Sequence, residues 1–94
     1  MAQLICEIWQ DDEYNSVEAA IISEGSDRLR KTVSPNATLL HTYIARSSFE
    51  VFQGYNDWFG WEWKPTAGVA EYFFTEAEAE EQRQYLAIRD INTP

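Results

Sequence analysis

The chain has 94 residues, of which 45% are hydrophobic and 15% aromatic. That length holds one domain with a small core, and the aromatic and branched apolar content excludes a disordered chain. Sixteen acidic against seven basic residues give a net charge of −9, a field that repels phosphate backbones and anionic membranes and so argues against either as a direct partner.

The first strand is expected at residues 3–10, where Leu4, Cys6 and Ile8 alternate with Ile5, Glu7 and Trp9. Residues 11–15, Asp-Asp-Glu-Tyr-Asn, are polar turn material, and residues 17–23 suit a second strand with Val17, Ala19 and Ile21 on one face. Together they read as an opening hairpin with a loop of about five or six residues. A short helix follows over 25–35, with Ser26 as N-cap, Leu29 and Val33 on its apolar side and Pro35 ending it.

Residues 38–46 are the strongest strand, setting Leu40, Thr42 and Ile44 against Leu39, His41, Tyr43 and Ala45. At 47–60 the period changes to helical: Val51, Phe52, Tyr55, Trp58 and Phe59 make one wide apolar stripe, with Ser47 or Ser48 as cap and Gly60 as a left-handed stop. Gly54 inside that helix implies close packing. Residues 69–75 read as a fourth, edge strand. Thr75 and Glu78 then form a capping box, with Phe74 stapled to Ala79, for a last helix reaching about Arg89 and packing through Tyr85, Leu86 and Ile88. The expected fold is a single α+β domain in ββαβαβα order, a three- to four-stranded sheet packed by two or three helices.

The chain resembles a group of small uncharacterised bacterial proteins. The shared pattern is Glu7-Ile8-Trp9, Pro35-Asn36-Ala37-Thr38-Leu39, Trp58-Phe59-Gly60-Trp61 and Lys64-Pro65, within residues 4–65. The resemblance supports a helix stopped at Gly60 and carries no activity, cofactor or catalytic residue.

Cys6 is the single cysteine, which excludes an intramolecular disulfide and a thiolate zinc cluster. His41 is the single histidine and lacks carboxylates or thiols at ligand spacing, so no metal and no cofactor are expected. A Cys6–His41 nucleophilic pair would need both side chains on one face, which strand parity gives no reason to expect. With no basic leader and no run of 18 apolar residues, the expected location is the cytoplasm.

Four tryptophans carry the functional expectation. Trp58 falls on the helix stripe and is expected in the core. Trp61, expected to pack back on the last turn of its helix, is a binding candidate, since tryptophan, tyrosine and arginine dominate binding hot spots. Trp63, with Trp9 and Tyr43, is expected to form an exposed aromatic surface unless a helix covers that sheet face. Asp11, Asp12 and Glu13 are its expected acidic rim: seven acids and no Lys or Arg occupy residues 1–27. The pattern points to a non-enzymatic regulatory domain of regulator, antitoxin-like, immunity or defence-inhibitor type. It would bind a larger protein with a basic surface, or a second copy of itself. The other reading is a small enzyme or ligand-binding domain whose pocket is lined by Trp61, Trp63, His41 and Tyr43.

Overall fold

The computed structural model describes residues 2–89. Its elements are β1 (Leu4–Asp11), β2 (Ser16–Ile21), α1 (Glu24–Val33), β3 (Thr38–Ala45), α2 (Ser48–Phe59) and α3 (Glu76–Ile88). The order is therefore ββαβαα, and the α+β class holds with a three-stranded antiparallel sheet in the order β2-β1-β3. The β1–β2 turn is four residues, 12–15, with Asn15 at φ 49°, a left-handed position that Asn tolerates.

The expected fourth strand is a single bridge, Phe73 opposite Ser47. Phe74 N–H donates to the Arg46 carbonyl (3.0 Å) and Ser48 N–H to the Tyr72 carbonyl (2.8 Å), so residues 72–74 only extend the exit of β3.

Register assigns the faces. Leu4, Cys6 and Ile8 pair with Ala45, Tyr43 and His41 on one side, and Cys6 and Ile8 with Ile21 and Ala19 on the other. Helix α2 covers this face. Its Gly54 lies against Tyr43: a Cβ there would sit 2.5 Å from Tyr43 Cδ2, so the close packing implied by the glycine is real. Tyr43 donates its hydroxyl to the Val51 carbonyl at 2.7 Å. Ser47 caps α2, and Gly60 (φ 72°) ends it while Trp61 N–H donates to the Asn56 carbonyl.

The core sits at the end of this face, where Leu4, Cys6 and Ala45 meet Ala2, Phe74 and Ala79. Thr75 and Glu78 form the capping box that starts α3. The helix then crosses the end of the sheet. Gln82 accepts the Ile5 N–H at 2.8 Å and donates to the carbonyls of Ile5 and Ile22, both at 3.0 Å, finishing the ladder where the hairpin runs out. Gln82 is thus a buried packing residue of α3, whereas Ile88, expected in that role, is exposed.

Helix α1 inverts its expectation. Ser23, not Ser26, is the N-cap, accepting the Ser26 N–H. Leu29 (64% exposed) and Val33 lie outward, while Asp27 and Arg30 are buried. A charged side turns inward because Asp27 meets Arg89, which also pairs with Glu7, the carboxylate in the middle of β1.

Candidate functional site

The sheet is three strands wide, too narrow to bury both flanks of an aromatic helix. Helix α2 accordingly has no fully buried residue. Beyond Gly60 the chain turns back along it, and the tryptophans dock in order. Trp61 stacks on Phe59 (centroids 4.7 Å, 18°) and meets Tyr55 edge-on, and Trp63 lies over Phe52 and Phe49 at 5.8 Å each. On the β3 flank Trp58 stacks on His41 at 4.3 Å and 7°. Trp61 meets two rings, and Trp58 and Phe52 one each, yet all three stay about half in solvent: Phe52 is 55% exposed, Trp58 46% and Trp61 55%. This layer runs along α2.

Trp58 is therefore not a core residue. Its position on the stripe is right, but the stripe is wider than the strands beneath it. Trp63 is half-buried against Phe49 and Phe52. Trp61 packs back on Phe59 of the last turn and is 55% exposed.

Trp9 and Tyr43 leave the expected surface. They lie on opposite sheet faces, because Tyr43 is paired with Cys6 while Trp9 is paired with Glu18 and Leu39. A bulge between Ile8 and Trp9 skips Leu40 and sets Leu39 beside Trp9. Trp9 is 8% exposed, roofed by the Arg30 guanidinium 3.8 Å above its ring, with its indole N–H donated to Glu7 at 3.1 Å. Tyr43 is half-buried beneath α2.

Asp11 is also buried, and its carboxylate accepts the Glu13 N–H to shape the turn. Asp12 and Glu13 remain exposed. Successive contacts of α2, from Val51 with Tyr43 to Trp58 with His41 and Tyr55 with Val17, advance toward this turn. The outward acids and the aromatic end of the helix thus share one end of the molecule.

Cys6 and His41 do share a face, yet they are not a catalytic pair. Cys6 lies fully buried across from Tyr43, and burial pushes its thiol up to about 12, where it is no nucleophile. His41 faces Ile8 and is stacked beneath Trp58. Among the described residues no group of three or more His, Cys, Asp or Glu is placed to hold a metal ion.

The second sheet face holds a cluster that sequence reasoning missed. Arg89, at the end of α3, bonds Glu7 Oε1 at 2.5 Å and Asp27 Oδ2 at 2.7 Å. Arg30 bonds Asp27 at 3.2 Å, and the Tyr85 hydroxyl donates to the same carboxylate. Burial would raise Asp27, but the hydrogen bonds from Arg89, Tyr85 and Arg30 outweigh it and hold the carboxyl below its usual range. Two cations balance two anions. No buried side-chain polar atom among the described residues lacks a partner, and the cavity beside Glu7 and Asp27 is about 10 Å³, room for roughly one water. The cluster joins three elements and leaves no space for a substrate. Its one sequence signal was Glu7, an acid between Ile5 and Trp9 on the second face of β1.

Comparison with protein-family models, with curated proteins and with solved structures finds no match to this chain.

Proposed function

We propose that the protein is a non-enzymatic, protein-binding regulatory domain that recognises a partner with a basic surface. The observation that carries this reading is the aromatic layer on α2, in which Phe52, Trp58 and Trp61 each keep about half their surface in solvent. Large, rigid aromatic area beside a polar rim is what binding hot spots use. The charge of −9 and the exposed pair Asp12 and Glu13 set the sign of the partner and disfavour direct nucleic-acid contact. No described helix is long and apolar enough to cross a membrane, in keeping with a cytoplasmic setting for such a regulator. A pocket enzyme is the poorer reading, since Tyr43 is committed to Val51 and His41 lies under Trp58.

The test is affinity capture from native cells with the wild-type chain, Trp61→Ala and the double variant Asp12→Asn with Glu13→Gln. A captured protein lost with Trp61→Ala and weakened by salt supports the reading. Capture indifferent to both variants and to salt rejects it.

A further inference from the structure

We infer that the open edge of β2 accepts an extended, basic segment of a partner protein as a fourth strand. In the order β2-β1-β3, no described strand lies beside the outer side of β2. The Ile22 N–H donates inward to Ile5 at 3.0 Å. By strand alternation Ala20, Glu18 and Ser16 also direct their backbone groups to β1, so those of Val17, Ala19 and Ile21 point outward. The Tyr55 hydroxyl reaching the Val17 carbonyl at 3.5 Å agrees with that phase. The edge of β3 is different, because at its exit residues 72–74 of the chain itself take the backbone of Arg46 and Ser48.

A groove accompanies the edge. It measures about 190 Å³ and lies between β2 and α2, lined by Val17, Glu18, Ala19, Val51, Phe52 and Tyr55. A strand added to β2 would place every second side chain above this groove, where an aliphatic residue fits. The alternate residues would emerge on the far face beside the exposed Glu18, opposite which a Lys or Arg fits. Strand addition of this kind takes affinity from main-chain bonds and specificity from alternate side chains.

Charge selects the occupant. Of the acids in residues 1–27, Glu7 and Asp27 are paired with Arg89 and Arg30, and Glu24 with Arg28, while Asp12 and Glu13 at the turn and Glu18 on β2 are exposed. A second copy would bring a further −9 and set acid against acid, whereas a basic segment is attracted. The inference shares with the proposed function the sign of the partner's charge and the ring of Phe52, which lines the groove; its main-chain bonds belong to the strand edge and not to Trp58 or Trp61.

The probe is a short fluorescent peptide of alternating valine and lysine, titrated by anisotropy. Its control is the same peptide N-methylated at alternate residues, in both phases. Saturable binding to the wild type is expected, with a loss of about tenfold or more for one N-methylated phase. Ala19→Pro should give a similar loss while keeping the fold, since its N–H points away from β1 and edge strands tolerate proline there. Glu18→Gln should weaken binding about two- to fivefold, the range of an opposite-charge cross-strand pair. Should Ala19→Pro fail to fold, the methylated peptides still decide on the wild-type chain. No saturable binding, or equal binding of methylated and plain peptides, overturns the inference, as does a wild-type dimer that Ala19→Pro dissolves. Loss of the captured partner with Trp61→Ala but not with Ala19→Pro would retain the aromatic surface and reject the edge.

Discussion

The guanidinium of Arg89 closes on the carboxylate of Glu7 at 2.5 Å across 82 positions of sequence, and both side chains are almost fully buried. Truncating one member of such a set strands the others as buried charges, at a cost of about 3–5 kcal/mol. Arg89→Ala should lower stability by that amount in urea unfolding. Arg89→Lys should recover part of it, because an ammonium keeps the charge but cannot bridge Glu7 and Asp27 with a planar fork. A loss below about 1 kcal/mol for Arg89→Ala would show that the cluster is not held together in solution.

Asp27 sets the acid limit. Its carboxyl is lowered in the folded state, so it contributes stability above its unfolded value near 3.8 that disappears as pH falls through the lowered one. The melting temperature should therefore decline below about pH 4, and Asp27→Asn should make that decline shallower while lowering the plateau. A parallel acid limb in the two proteins would assign the decline to other carboxylates.

Cys6 sets a limit at the other end. A thiol raised from 9.0 to about 12 favours the folded state below the unfolded value, and that contribution is lost as pH climbs between the two. Tyr43, pushed up by burial and by Cys6, acts in the same direction. Iodoacetamide should leave the folded chain unmodified at about pH 8 and label it in denaturant. Rapid labelling of the folded chain would contradict the buried position.

The tryptophans should rank by burial. Trp9→Ala removes a ring enclosed by Arg30 and Glu7 and is expected to cost about 3–5 kcal/mol. Trp58→Ala and Trp61→Ala, each leaving half a surface already in water, should cost about 1–2 kcal/mol. Thermal unfolding of the three variants checks the order, and a Trp58 loss equal to that of Trp9 would return Trp58 to the core.

Gly54→Ala opposes two effects. Alanine gains about 1 kcal/mol of helix propensity, but its methyl would enter the Tyr43 ring, which the bond to Val51 holds in place. Overpacking of that kind costs about 1–3 kcal/mol, so a net loss is expected in chemical denaturation. A stabilised variant would mean that the ring moves freely.

Alternation and capping residues made the local elements legible. The hairpin, the helix stop at Gly60 and the capping box at Thr75 and Glu78 all rest on signals within a few residues, and the glycine at 54 already implied a close neighbour. Relations between elements were not legible. Strand parity separates Tyr43 from Thr42, but only register decides that Tyr43 faces Cys6 and not Glu7. For the same reason Trp9 and Tyr43 fell away from the expected aromatic surface, while Trp61 and the turn acids Asp12 and Glu13 stayed outside. The apolar side of α1 pointed outward because a distant arginine, at position 89, made the charged side the better one to bury. No local pattern announces a partner 62 residues away.

The Gln82 amide stands in for a peptide group, accepting one backbone N–H and returning two bonds to carbonyls at the end of the first hairpin. Closing a loop between residues 5 and 82 carries the entropy of a long contour and places late contacts at the foundation of the sheet. The first hairpin therefore keeps the peptide groups of Ile5 and Ile22 unsatisfied until α3 has formed and docked Gln82 against them.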